Sequence, residues 1–227
     1  MKPLLSYLLA LLCQTQQIGP ANMLGPSAMG NPGACTPGQT TLDTDNFTGT
    51  AGTALHTYNA NWDNASYNVQ CADGAIATGS NGASGSFTAC DGRTGQTWTN
   101  NQFAQATLVV AAVADAAYIG VRITSVATRP DGYYFGVDPG SYNGNYRIIK
   151  WTGGVKAVIH ASSIAAVNGD VLNFQIIGST FQVKINGTVK AEFSVTDSTY
   201  TTGVPGILIS NTSGVKTWST WTAGSAC

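Results

Sequence analysis

From residue 102 onward, apolar and polar residues alternate with a period of two, the spacing of a strand with one buried face. The pattern predicts strands over Phe103–Val110, Tyr118–Thr124, Tyr133–Val137, Tyr146–Trp151 and Val155–His160. It continues over Val171–Ile177, Phe181–Ile185, Val189–Val195, Ile207–Ile209 and Val215–Trp221. Gly, Asn and Pro punctuate these runs, as at Thr152-Gly153-Gly154, Gly178-Ser179 and Asn186-Gly187. Many short strands with regular turns predict an all-β, two-sheet antiparallel sandwich or barrel. A single helical turn is expected near Ala161–Val167.

One hairpin carries a conflict. Phe181, Val183 and Ile185 alternate with Gln182 and Lys184, and Val189, Ala191 and Phe193 alternate with Lys190 and Glu192. A two-residue Asn186-Gly187 turn would set Lys184 opposite Val189. The apolar faces match only across an odd loop, such as Asn186-Gly187-Thr188 with a bulge. Because one buried face normally decides register, the odd loop is expected.

The first residues differ from the rest. Leu4, Leu5, Tyr7, Leu8, Leu9, Leu11 and Leu12 form a short apolar run after Lys2. It falls short of the roughly 20 residues that span a bilayer. Residues 1–13 read as an apolar helix or signal-like segment, and the sequence leaves open whether the segment is cleaved, retained or lipid-anchored at Cys13. Residues 14–39, with Gly19-Pro20, Gly25-Pro26 and Asn31-Pro32-Gly33, read as an irregular arm or linker. Residues 40–227 form the sandwich.

Composition narrows the function classes. Charged residues make up 9% of the chain with a net charge of −1, so no basic stripe suits nucleic acid. The only glutamate is Glu192. Cys35 and Cys227 bracket the sandwich, and Cys71 and Cys90 flank a Gly/Ser/Asn-rich excursion, so Cys35–Cys227 and Cys71–Cys90 are the expected disulfides. Four reduced, buried thiols are the alternative. No zinc spacing occurs, and the histidines are His56 and His160, so no metal is expected. Asp-Gly steps at Asp73, Asp91 and Asp131 read as turn chemistry ahead of calcium ligation, and no cofactor is expected.

Two stretches resemble the ends of concanavalin A-like jelly rolls, the lectin/glucanase superfamily. The first is Asp45-Asn46-Phe47-Thr48-Gly49-Thr50-Ala51-Gly52-Thr53-Ala54-Leu55. The second runs from Gly169-Asp170-Val171-Leu172 through Val183-Lys184-Ile185-Asn186-Gly187 and Thr196-Asp197-Ser198 to Gly203-Val204-Pro205-Gly206-Ile207. Gly132-Tyr133-Tyr134-Phe135 and Tyr146-Arg147-Ile148-Ile149-Lys150 sit where that family places paired strands. The resemblance implies a jelly roll, a fold that hosts lectins, hydrolases, lyases and adhesion modules alike.

The residues themselves speak against catalysis. Two-carboxylate glycoside cleavage needs a paired acid and base, and Glu192 has no carboxylate neighbour in sequence. Asp43 and Asp45 share a strand face at the domain entrance, where turn or edge roles are commoner. His160 reads as a strand-end histidine with a satisfied hydrogen bond. Sugar binding asks less: aromatic faces for stacking and polar groups for hydroxyls. Candidate glycan contacts are Trp62, Trp98, Tyr134, Tyr142, Arg147 and Trp151, whereas Trp218 and Trp221 are expected to pack in the core. The expected function is a non-enzymatic structural or adhesion protein of an extracellular particle, of bacteriophage-virion type. It would dock through residues 1–39 to other subunits and touch glycans with the jelly roll. The alternatives are a secreted lectin-like protein and, after it, a polysaccharide-active enzyme.

Overall fold

The computed structural model describes residues 38–63, 74–76, 83–84, 87–109, 116–124, 131–138, 144–211 and 218–227. Residues 1–13, the arm up to residue 37, Cys71 and Tyr142 lie outside the described residues.

The described residues form strands β1 (Gln39–Asp45), β2 (Trp62–Asp63), β3 (Ala75–Ile76), β4 (Ala83–Ser84) and β5 (Phe87–Arg93) ahead of the alternating region, and then β6 (Gln102–Leu108), β7 (Ala116–Thr124) and β8 (Asp131–Val137) within it. These are followed by β9 (Asn145–Thr152), β10 (Val155–Ala165), β11 (Val171–Ile177), β12 (Thr180–Ile185), β13 (Thr188–Val189), β14 (Val204–Asn211) and β15 (Trp218–Ala226). One sheet has the order β13-β12-β11-β6-β15-β4-β3, with β1 also paired to β15, and contains eight strands. The other has seven, in the order β10-β9-β8-β7-β14-β5-β2. The first and last strands are neighbours, Gln39 facing Ala226 and Asp45 facing Trp221. This is the antiparallel two-sheet sandwich that the alternation predicts.

The core lies between the sheets. Leu172, Phe174, Ile176, Phe181, Val183 and Trp221 of the eight-stranded sheet meet Ile119, Tyr133, Phe135, Tyr146, Ile148 and Ile207 of the seven-stranded one. Burying each such side chain contributes roughly 1.5–3 kcal/mol. The two outer faces differ. On the eight-stranded sheet Asn173 and Gln175 sit in an amide network: Gln39 Nε2 donates to Asn173 Oδ1 at 2.9 Å, and Gln175 Nε2 donates to Gln182 Oε1 at 2.8 Å. On the seven-stranded sheet Cys90, Tyr118, Tyr134, Ile149 and Leu208 form a second buried apolar cluster. The centre of that sheet is buried on both faces, while its edge strand β10 is largely exposed.

Three local expectations are corrected. Lys184 does pair with Val189 and Ile185 with Thr188, so the Asn186-Gly187 loop has two residues. Asn186 (φ 53°) and Gly187 (φ 76°) both take the left-handed conformation that such a tight turn requires. The mismatch is relieved by ending the strand: β13 stops at Val189, and a 3-10 turn over Ala191–Phe193 rotates Phe193 into the core and leaves Glu192 exposed. Turn chemistry therefore sets the register, and the strand breaks to satisfy burial. Second, Ala161–Ala165 continues β10 as strand instead of turning into helix. The single α-helical turn among the described residues is α1 (Leu55–Tyr58), inside the opening motif. Third, Asp91 lies within β5 and not in a turn.

Candidate functional site

The opening motif is built around Asp45, the last residue of β1. Its Oδ1 accepts the Phe47 N–H at 2.7 Å and the Tyr58 hydroxyl at 3.0 Å. Its Oδ2 accepts Trp62 Nε1 at 2.8 Å and lies 3.4 Å from both Asn59 Nδ2 and Arg93 Nη1. Phe47 takes φ 53°, so the backbone turns sharply around the carboxylate. Arg93, at the end of β5, donates through Nε (2.7 Å) and Nη2 (3.2 Å) to Asp43. Its guanidinium sits 4.7 Å from the Trp62 ring and 5.8 Å from that of Trp221. A buried cation thus lies against two indoles, themselves packed edge-to-face, and is matched by two carboxylates, the combination that makes burial of a charge tolerable.

Over this cluster opens a cleft of about 340 Å³, near the lower end of ligand-site sizes. Thr44, Asn46, Tyr58, Asn59, Thr220 and Thr222 supply its hydroxyl and amide groups, and Asp45 and Trp221 are its buried members. The Trp221 indole N–H is buried and has no partner among the described residues. Burial, reinforced by Asp45, raises the Tyr58 pKa, so its hydroxyl stays protonated as a donor. Donors, acceptors and one aromatic edge at such spacing suit a polyhydroxylated ligand.

Asp138, Asp170, Asp197 and Glu192 serve the fold. Asp170 accepts Asn186 Nδ2 at 2.7 Å, the Val167 N–H at 3.0 Å and the Tyr146 hydroxyl at 2.5 Å. Asn186 Oδ1 in turn accepts the Val171 N–H at 2.8 Å. Asp197 accepts Lys150 Nζ and the Tyr133 hydroxyl, each at 2.6 Å, and the Thr199 N–H at 2.8 Å. Burial, then the bond to Asp197, pushes the Tyr133 hydroxyl up to about 12. Asp138 faces Arg147 and Lys156, and Glu192 accepts the Ser162 hydroxyl at 2.8 Å. The Asp-x-Phe, Gly-Asp, Asn-Gly and Thr-Asp pieces that carry the family resemblance are therefore structural staples.

The sequence-derived aromatic candidates do not converge on the cleft. Trp62 is fully buried, packed against Trp221 at 4.8 Å between ring centres, and offers no face to a sugar. Trp98 is half-buried, with Nε1 donating to the Arg93 carbonyl at 2.6 Å. Tyr134, Arg147 and Trp151 share the outer face of the seven-stranded sheet, where Tyr134 and Arg147 are buried and Trp151 is half-buried. His160 is mid-strand, edge-on to Phe193 at 5.0 Å, and its Nε2 has no partner among the described residues, against the satisfied strand-end role expected of it. The cleft residues Thr44, Tyr58 and Asn59 escaped the sequence reading, although Asn46 stood inside the quoted motif. Their signal is a strand-end Asp followed by hydroxyl and amide residues ahead of a buried Trp.

No protein-family model and no curated protein matches the chain. Solved structures do. The carbohydrate binding module CBM66 from Bacillus subtilis aligns with a TM-score of 0.47 at 14% identity, over 83% of this chain and 91% of that one. A xylan β-1,4-xylosidase from Bacillus halodurans C-125 aligns with a TM-score of 0.50 at 15% identity, over 83% of this chain and 40% of that one. Galectin LEC-6 from Caenorhabditis elegans aligns with a TM-score of 0.41 at 17% identity, over 57% of this chain and 86% of that one. At these identities the likeness is one of fold alone, a two-sheet antiparallel sandwich of jelly-roll type.

Proposed function

We propose that this chain is a non-catalytic, lectin-like module that contacts glycans through the cleft at β1, α1 and β15. The observation that supports this reading is the cleft itself, lined by threonine, asparagine and tyrosine groups over a pre-organised Asp45. Asp43 and Asp45, the nearest candidate acid pair, share one guanidinium and have structural bonds to keep. Asn59→Ala and Thr222→Val should each lower affinity for a bound oligosaccharide by roughly tenfold; Thr222→Val should leave the unfolding midpoint nearly unchanged, whereas Asn59→Ala, which also gives up the bond from the Asn61 N–H, should lower it slightly. Binding that survives both substitutions places the glycan elsewhere.

The finer setting is display on an extracellular particle of bacteriophage-virion type, with residues 1–39 docked into the assembly. Deleting residues 2–13 should leave the sandwich folded and release it from the particle. A mature chain beginning after residue 13 favours the secreted lectin instead. Cys35–Cys227 and Cys71–Cys90 are the proposed disulfides. Neither Cys90 nor Cys227 lacks a partner, and Gly38, shortly after Cys35, exchanges backbone hydrogen bonds with Cys227. Gly74, shortly after Cys71, donates to Asp91 beside Cys90. Closing such loops stabilises by about 3–5 kcal/mol. Four alkylatable thiols in the native protein would contradict the pairing.

A further inference from the structure

Arg122 lies in β7 at a break in strand register between Val121 and Thr124. It is only 2% exposed, and it takes φ 51°, a conformation rarely adopted by a long side chain. Two glycines permit it. A Cβ on Gly132 would lie 2.9 Å from the Ile123 backbone, and one on Gly203 would lie 2.5 Å from the Arg122 carbonyl carbon. Gln102 fixes the kink, accepting the Arg122 N–H at 3.0 Å and donating to the Gly203 carbonyl at 2.6 Å. Strain of this kind persists where the surroundings over-determine it, and it clusters at ligand sites.

The guanidinium is held by neutral groups. Nε donates to the Asn100 carbonyl (2.8 Å), Nη1 to that of Tyr200 (2.8 Å) and Nη2 to that of Gly178 (2.7 Å). No carboxylate pairs with it among the described residues. The nearby carboxylate of Asp197 is committed to Lys150, Tyr133 and Thr199. A guanidinium has five N–H donors, so one on each terminal nitrogen remains unassigned. Burial pulls its pKa down, opposed in part by Tyr133, but an arginine stays charged.

Arg122 also lines a pocket of about 350 Å³ with Asn100, Asn101, Ser179, Ser198 and Thr201. We propose that this pocket takes an oxyanion carried on a hydroxylated ligand, the carboxylate of an acidic sugar or its sulfate ester. Arg122 supplies the unspent positive charge through paired terminal N–H groups, the geometry that favours arginine for such anions. The serine, threonine and asparagine groups meet the hydroxyls. Asn101 is pre-positioned, its Oδ1 accepting the Gly178 N–H at 2.9 Å. This site shares no lining residue with the β1–β15 cleft and stands or falls separately from it.

The test is a titration of the isotope-labelled full chain, followed by amide chemical shifts, with sodium glucuronate, sodium sulfate and glucose at matched ionic strength. Saturable shifts centred on Asn100, Asn101, Arg122, Ser179 and Ser198 with either anion, and none with glucose, are expected. Tighter binding of glucuronate identifies the carboxylate sugar, and tighter binding of sulfate identifies the ester. Arg122→Gln should abolish the shifts. Because that change also removes three structural bonds, Thr201→Phe, at an exposed position, serves as the filling variant: it should weaken binding by at least roughly tenfold with the fold intact. No saturable shift in the unmodified protein, shifts centred elsewhere, or undiminished binding in the folded Thr201→Phe protein would overturn the proposal.

Discussion

Arg93 and Arg122 are buried to the same 2%, yet their surroundings are opposite. Arg93 faces Asp43 and Asp45 and lies against the Trp62 and Trp221 rings. Arg122 faces three carbonyl oxygens and lines an open pocket. The first charge is matched within the fold, so it organises the β1 turn. The second is solvated by dipoles alone, so it holds loops together and keeps attraction to spare. Equal burial thus conceals a structural cation and a ligand-ready one, and the partners separate the two.

The contrast can be broken by mutation. Arg93→Ala strands two carboxylates in a buried cluster and should cost about 3–5 kcal/mol in urea unfolding, the largest effect expected here. Arg122→Ala leaves three carbonyls beside a pocket that admits water, so the loss should be smaller, about 1–3 kcal/mol. If Arg122→Ala proved the more damaging of the two, the distinction between matched and unmatched charge would fail. The same logic predicts that added sulfate raises the unfolding midpoint of the unmodified protein by more than the general salt effect that it has on Arg122→Ala.

The Lys150–Asp197 ion pair sharpens the comparison through pH. Burial alone would raise the Asp197 pKa, but bonds from Lys150, Tyr133 and Thr199 outweigh it and hold the carboxyl well below its usual range. A depressed carboxyl contributes stability that is fully present above its unfolded value, about 3.9, and lost as pH falls through the folded one. Lys150→Met should therefore cost about 1 kcal/mol near neutrality and flatten the acid limb of the stability curve below pH ~4. A parallel acid limb in the two proteins would assign the lost stability to packing. Of the same size is the effect of Asn186→Ala. It strains the φ 53° turn position and frees Asp170 and the Val171 N–H, for about 1 kcal/mol in the same assay.

Much of the fold was legible because burial imposes period two. β11 matches its sequence-predicted bounds, and β6 to β9, β12 and β14 lie where alternation or an apolar run placed them. Besides the strands β2 to β5, which precede the alternating region, three features escaped that signal. The Asn186-Gly187 register was decided by turn geometry, a local preference stronger than two residues of face matching. β10 runs on to Ala165 through an Ala/Ser stretch whose side chains carry no face preference. The outer face of the seven-stranded sheet is buried at its centre, so Tyr134 and Arg147, polar enough to read as surface, are interior. The site was less legible still. Trp62 looked exposed among Asn61 and Asp63, but an indole N–H aimed at Asp45 makes it a core residue. The cleft groups are threonines and asparagines whose convergence depends on pairing the first strand with the last.

The claim of contact without cleavage is tested most directly by incubating the protein with a polysaccharide panel while binding and new reducing ends are read in one sample, with absorbance at about 235 nm for lyase products. The account predicts saturable binding, weakened by roughly tenfold in Asn59→Ala, with no product formed. Reproducible release of product that disappears in Asp43→Asn, Asp45→Asn or Glu192→Gln would contradict it.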